Sequence, residues 1–559
     1  MFKKSDKEKQ LDVFSCVSHM LDSSAQKQYS DKNHWHNQFR EQVVLRIDEP
    51  ILSVLFNKTT GAPNSPIRVL IGMMILKEAF GWSDEQLYEH CQFNLLVRSA
   101  LGLFNMNDSL PVLSTYYLLR KRIYEHQKQT GEDLMEQVFA TITQGQVKDF
   151  EVNGRSIRMD SKLIGSNIAA FSRYEIIHQT LSLFYKSLDK AAKSRLSKSD
   201  REQLEGLVDE ECEKTVYRST REELNTRLKT IGILIYKMMK LYGNLRTDKF
   251  ELLKRVFSEQ YSVSKDKKVV LRPKEEISSS SVQSPHDPDS GYSNKQGQNI
   301  KGYRANITET CPDNNNLNLI TNVLVEKANT ADASFVQPAI SGSMEVTGQP
   351  VEKVYLDGGF HSPANDEYCE NIDMVFTGMQ GFGSRYDLEM TSDGLMVTDN
   401  KTGKVMKAIP AKKLKNSRED RWRITTPTGR YYFGQQAIRA SHLRRKLLQR
   451  TQQELHKRNN VEATIFQLGY SLKNGKSKYR GLVKQKLWSY FRCLWINFVR
   501  ILNFTKQICQ RTIKTMGIPS LESIFYYYSV LKTRKQVILG GIFSKELFFS
   551  NNLYFNVIK

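Results

Sequence analysis

Apolar positions follow different rhythms along this chain, and each rhythm predicts a different kind of structure. From residue 38 to 126 they recur at helical spacing. PIRVLIGMMILKEAFG (66–81) reads as a helix with proline in its first turn and Gly81 as its stop. SDEQLYEHCQFNLLVRSALG (83–102) comes next, with Ser83 and Gln86 in the capping-box relation. A third helix, STYYLLRKRIYEH (114–126), carries the basic cluster Arg120, Lys121 and Arg122. Short helices joined by tight turns and followed by a basic helix fit a helix-turn-helix reader of DNA. A plain helical bundle with a solvated basic face fits the same periodicity.

The rhythm then changes. SIRMDSKLI (156–164) predicts a strand with Asp160 inside it, and 171–262 is strongly helical, with Ile177, Leu181, Phe184 and Leu188 spaced four, three and four apart. Periodicity is lost from Ser264 to Gln298, where a serine run and three prolines suggest a linker or long surface loop. NIKGYRANITET (299–310) and NLITNVLVEKAN (318–329) alternate like strands. A helix over 331–343, a strand over 352–357, a helix over 362–371 and a strand over 372–378 complete a mixed α/β sheet. Short β-like runs between 380 and 440 read as an inserted subdomain, and the chain from Ile438 to Gln510 is helical and basic.

The expected organisation is a tail (1–37), a helical DNA-binding domain (38–150), an α/β domain (151–510) and a C-terminal tail (511–559). The α/β domain is split by a helical insertion (171–262), the linker (263–298) and a β-rich insertion (380–440).

Composition narrows the partners. The 559 residues carry 82 Lys and Arg against 60 Asp and Glu, a formal net charge of +22, which attracts polyanions and nucleic acid above all. Seven scattered cysteines without a CxxC pair argue against a disulfide framework or a cysteine zinc site and suit a reducing compartment. The N-terminus lacks the apolar run of a signal peptide. The span LWSYFRCLWINFVRILNF (487–504) is interrupted by Arg492, Asn497 and Arg500, so a core helix is expected there rather than a membrane span. A cytoplasmic, nucleoid-associated protein with no membrane partner is the expectation.

The chemistry concentrates in KVYLDGGFHSP (353–363), where a short apolar strand ends in Asp357 and the next two residues are glycine. Strand-ending acids often cap the next helix. Here, however, Asp160 and Asp357 can fall on neighbouring strands of one sheet, and Glu462 in RNNVEATIFQLGY (458–470) borders the apolar stripe Val461, Ile465 and Leu468 of a helix able to cross that sheet. Converging carboxylates repel unless cations neutralise them, and hard oxygen donors select Mg²⁺ or Mn²⁺. Two such ions roughly 4 Å apart suit phosphodiester displacement. The glycines then leave room for a DNA backbone. Asp366 and Glu367 fit the first turn of a helix, His361 a structural role, and Asp287 and Asp289 a loop without metal.

With these motifs in hand, the chain resembles the DDE-type transposases of bacterial insertion sequences, with an RNase H-like catalytic domain behind an InsH-type helical domain. The resemblance rests on RMDSKLIGSNIA, SPHDPD, GYRANITET, VYLDGGFHSP and RNNVEATIFQLGY, and on the helical region 38–126. It implies a metal-dependent nuclease and strand transferase acting on its element's terminal inverted repeats and on target DNA, as a homodimer that pairs two ends. It also implies that Asp160, Asp357 and Glu462 are the catalytic metal ligands for two Mg²⁺ ions, which Mn²⁺ can replace, and that Arg458 contacts phosphate. Related proteins often carry Tyr and Lys where this chain has Leu455 and Gly469, and Lys473 is a candidate substitute for that lysine.

Around Glu462 a DNA path is expected along Lys473, Lys476, Lys478, Arg480, Lys484 and Lys486, with Arg439, Arg444, Arg445, Lys446 and Arg450 before it. Tyr470 and Tyr479 suggest base stacking, or else partly buried packing on a solvated basic face. Two competing functions remain open: a catalytically inactive DNA-binding derivative, which would lack paired Mn²⁺ sites, and a host nuclease of the same fold, whose gene would lack flanking inverted repeats.

Overall fold

The computed structural model describes residues 1–6, 11–12, 14–295, 297–378, 384–412 and 420–516. Helix α1 (Ile67–Phe80) is apolar on every side because it is covered on every side: each residue from Ile67 to Lys77 is buried. Gly81 stops it in a left-handed conformation (φ 70°), which lacks the Cβ penalty only for glycine. Helix α2 (Asp84–Phe93) begins with the expected capping box of Ser83 and Gln86. Asn94 then caps a separate short helix, Leu95–Ala100. Helix α3 spans Leu113–Thr130.

The region expected as a tail packs instead. Val17–Met20 and Ser23–Ser30 are helical, Cys16 and Val17 are buried, and the Val17 amide donates to the Phe104 carbonyl (2.9 Å). Helices of four and eight residues are too short to display a period, which is why the sequence hides them.

Strand β1 (Ser156–Gly165) organises the α/β sheet. Ile157 and Met159 pack on one face against Phe335, Val336, Ala339 and Ile340, so alternation turns Arg158, Asp160 and Lys162 to the other face. The remaining strands of this six-stranded sheet are β2 (Gly291–Lys295), β3 (Gln298–Thr310), β4 (Ile320–Lys327), β5 (Lys353–Leu356) and β6 (Asp373–Phe376). β3 pairs antiparallel with β1, β2 and β4. β1 pairs in parallel with β5, and β5 with β6. This is the mixed α/β sheet expected from the sequence, with its helical N-terminal region. Helix α4 (Val336–Thr347) covers the apolar face.

Two further units interrupt the sheet. Helices between Arg173 and Gln260 enclose their own core around Ile177, Leu181, Phe184, Leu234 and Phe250. Tyr386–Thr391, Gly394–Asp399 and Val405–Lys407 form one small sheet, and Ile409–Ala411, Arg421–Thr426 and Gly429–Gly434 another, sharing the core of Leu388, Leu395, Val397 and Ile424. The expected linker is not featureless. It contains Val269–Leu271, paired with Tyr261–Val263, and β2 itself. Buried Asp287 anchors it by accepting hydrogen bonds from Ser166 and from the Tyr303 hydroxyl. Polar GYSNK on a sheet edge offers no apolar alternation to read.

Helices α5 (Gln435–Gln449), α6 (Gln452–Gly469) and α7 (Leu482–Met516) close the described chain. The polar residues that break the apolar run of α7 act as internal bolts. Arg492 donates to the Glu78 and Ala79 carbonyls (both 3.0 Å) and to the Gln467 carbonyl (2.5 Å). Asn497 exchanges hydrogen bonds with the backbone of Ile320 (2.8 and 2.9 Å). Among the described residues no helix is long and apolar enough to cross a membrane. The chain divides into two units, Met1–Arg500 and Ile501–Lys559; of the second, residues 501–516 are described and are helical. Six residues assigned to the C-terminal tail, 511–516, thus belong to α7, and the rest of that tail lies outside the described residues.

Candidate active site on the β1–β5 edge

Parallel pairing runs Ser156–Lys353, Ile157–Val354, Arg158–Tyr355, which carries Asp160 and Asp357 forward as neighbours on the face opposite α4. Each acid is oriented by the amide next along the chain: Asp160 accepts from Ser161 N–H (2.8 Å) and Asp357 from Gly358 N–H (2.7 Å). Burial and the charge of Asp357 raise the Asp160 carboxyl above its ordinary value, against the opposing pull of Arg458 and the Ser161 amide. Two acids that feel each other this way would gain from a shared cation.

Helix α6 crosses this face. Arg458 spans the gap, donating to Asp160 and to Glu462 at 2.8 Å each. The Glu462 side chain is 60 % exposed, whereas that of Arg458 is 11 % exposed. Among the described residues no three His, Cys, Asp or Glu side chains meet in a metal-binding cluster. Asp160 and Glu462 are instead brought together through Arg458, with Asp357 on the adjoining strand end. The donor chemistry fits a hard divalent cation, since all three groups are carboxylates and two of them already share a cationic partner.

The helix is held by a residue inside the GYRANITET motif to which the sequence assigned no role of its own. Glu309 of β3 is fully buried opposite Arg158 and accepts from Arg158 Nε (2.6 Å), Arg500 Nη1 (2.8 Å) and Thr464 Oγ1 (2.7 Å). Burial alone would raise its carboxyl, but the two guanidinium groups and Thr464 hold it down at about 2. Arg158 also donates to the Lys457 carbonyl (2.9 Å), just before Arg458. Near the start of α6, Glu454 meets Lys353 (2.8 Å) and Arg450 (3.0 Å). Leu455 packs on Cys311, Tyr355 and Val375, an apolar role suited to leucine. The legible signal for Glu309 was an acid within an alternating strand; its partners lie too far along the chain to be paired from sequence.

The basic residues divide. Arg120 is drawn to Asp84 (3.4 Å), Arg122 lies over the Phe56 ring (5.1 Å), and Lys121 pairs with Glu125 (3.6 Å) on an exposed surface. The segment after α6 is zipped onto the end of β1: Gly165 N–H donates to Gly475 O (2.8 Å) and Ser477 N–H to Gly165 O (2.9 Å). Within it Lys476 donates to Ile168 O (3.0 Å), Lys478 to Gly81 O (2.7 Å) and Arg480 to Asn167 O (2.6 Å). Lys473 is exposed in that turn, and Lys486 faces Asp133 (3.5 Å). Tyr479 is bonded to Glu78, whose carboxyl is raised by burial, whereas Tyr470 is 74 % exposed. His361 hydrogen-bonds Asp366 (3.0 Å).

Residues 24–122 match a family model described as a transposase domain (DUF772). The match supports a transposase. Its span covers α1, α2 and most of α3, so the transposase domain is the helical N-terminal region and the acids lie outside it. Arg492 of α7 hydrogen-bonds the end of α1 and Asn497 of the same helix the start of β4, which ties the transposase domain to the sheet bearing the acids. Neither a curated protein nor a solved structure matches the chain.

Proposed function

We propose that the chain is a DDE-type transposase with an RNase H-like catalytic domain. It binds the ends of its own insertion sequence as double-stranded DNA, hydrolyses the phosphodiester there and transfers the 3′-hydroxyl strands to target DNA. One observation carries the reading: Asp160 and Asp357 lie on adjacent parallel strands, facing a helix whose Arg458 binds both Asp160 and Glu462. The transposase domain at 24–122 supports it independently.

Asp160, Asp357 and Glu462 would hold Mg²⁺ or Mn²⁺, two ions in all, which supply charge stabilisation and an activated oxygen nucleophile when bound. The Ser161 and Gly358 amides fix one oxygen of each aspartate, so the carboxylates are oriented before any ligand arrives. Arg458 favours the ionised form of Asp160 against burial and the charge of Asp357. A Cβ on Gly359 would meet only Asp332 Oδ2, at 3.6 Å, so packing does not impose glycine there; a close-passing DNA backbone would. Pairing two element ends calls for a second copy of the chain.

The test is incubation of the purified protein with labelled duplex carrying the gene's own flanks, with and without Mg²⁺. The protein should cut only with metal, and Asp357→Ala should still bind the ends but not cut. Metal-dependent cleavage by that variant at the wild-type rate would sink the assignment.

A further inference from the structure

The strand Arg421–Thr426 of the β-rich insertion sends alternate side chains to opposite sides. Ile424 is buried, and Trp422, Tyr431 and Phe433 pack around the same core. Arg421, Arg423 and Thr425 therefore lie on the outer face. The register sets Tyr432 opposite Arg423 and Arg430 opposite Thr425, so both join that face from the neighbouring strand. A direct contact agrees: the Arg421 guanidinium lies over the Tyr432 ring, 4.3 Å from its centre. Ile409, paired with Arg423 from the other side, and Tyr432 are both exposed. Among the described residues none of the three arginines meets a carboxylate. Further along, by contrast, Arg445 is bridged to Glu389 and Arg450 to Asp373. From Arg421 to Gln453 the chain carries eight Lys and Arg and no acid, whereas an ordinary solvated surface intersperses both signs.

We propose that this outer face grips the sugar–phosphate backbone of duplex DNA, with Arg421, Arg423 and Arg430 each meeting a phosphate. The inference rests on the reading of the chain as a DNA-processing enzyme and adds a contact surface outside the sheet that bears the acids. The three positions advance two residues at a time along the strand direction, about 6.8 Å per step, so their side chains form a row rather than crowding one anion. Each guanidinium offers paired donors that match a phosphate, and the Tyr432 ring keeps Arg421 against the sheet. A polyanion fits this face better than a protein does. Ile409 and Tyr432 supply little apolar cover, and a protein interface seldom places a row of charges at its centre.

Duplex binding followed by fluorescence anisotropy across a KCl series, without divalent metal, tests the surface apart from catalysis. Arg421→Gln, Arg423→Gln and Arg430→Gln together should weaken binding and make the plot of log K against log salt shallower by about 2–3. The loss should be equal on the gene's own flanks and on a shuffled duplex, because phosphates carry no sequence. Arg421→Lys, Arg423→Lys and Arg430→Lys together keep the charge and should keep most of the slope. Arg430→Gln alone, at an exposed position, should cost about one unit of slope and keeps the test readable if the triple variant folds poorly. Lys190→Gln, Lys198→Gln and Lys229→Gln together remove the same charge from exposed positions of the helical insertion and should leave the slope near wild type. An equal loss from that control would reduce the effect to net charge and overturn the proposal. So would an unchanged slope in folded Arg430→Gln and in the triple variant, or a loss confined to the flanks. Wild-type protein that bound no duplex would instead remove the reading of the chain as a DNA-processing enzyme.

Discussion

Glu309 shows how much one side chain can organise. Removing its charge leaves buried Arg158 and partly buried Arg500 without their shared anion, so Glu309→Ala should destabilise the protein by about 3–5 kcal/mol in chemical denaturation. Its carboxyl titrates at about 2 in the folded chain against an ordinary 4.5. The stabilisation it gives is therefore present above pH 4.5 and is lost as pH falls toward 2, so the gap between wild type and Glu309→Ala should narrow over that interval. Arg458 has the opposite legibility. Its place in the motif implies a phosphate contact, but its guanidinium bonds to Asp160 and Glu462. Arg458→Gln removes the main influence that favours ionised Asp160, so the acid limb of the cleavage rate should move to higher pH; an unmoved limb would deny Arg458 that role.

Among the elements, α1 was legible as an apolar run between Pro66 and Gly81 and α2 by its cap, while β1, β3 and the helical insertion obey their apolar spacing. The order of β1 beside β5 was legible too, since an antiparallel run of strands followed by a helix leaves few other places for a parallel return. β2 was hidden because hydrogen bonds, rather than apolar side chains, hold it. It meets β3 at Gly302, where a Cβ would lie 2.1 Å from the Ile164 carbonyl oxygen and 2.6 Å from the Ser166 amide. Backbone cannot give way as a flexible side chain can. Gly302→Ala should thus lower stability by about 3 kcal/mol and loosen the segment hooked onto Gly165, read as faster amide exchange at Gly165 and Ser477.

Across Met1–Arg500, the transposase domain is not an appendage. Phe39 packs on Trp495 and Phe498, and Phe80 on Trp495, so the N-terminal helices share a core with α7. A fragment of residues 1–150 should accordingly fail to fold, giving no cooperative thermal transition; a sharp transition would show that the helical region stands alone. The strong positive charge of the sequence points to a polyanionic partner but is a poor guide to individual contacts. Lys476, Lys478 and Arg480 are spent on backbone carbonyls rather than left open to a ligand.

The bolting of α6 by Arg492 and Arg500 has a temporal corollary. During synthesis the strands bearing both aspartates emerge long before the helix that locks Glu462 in position. A ribosome that stops before α7 releases a polypeptide without Arg492, Trp495, Phe498 and Arg500. Such stunted products lack the rings on which the N-terminal helices pack as well as the bolts of α6, so an early stop discards the whole molecule rather than trimming it.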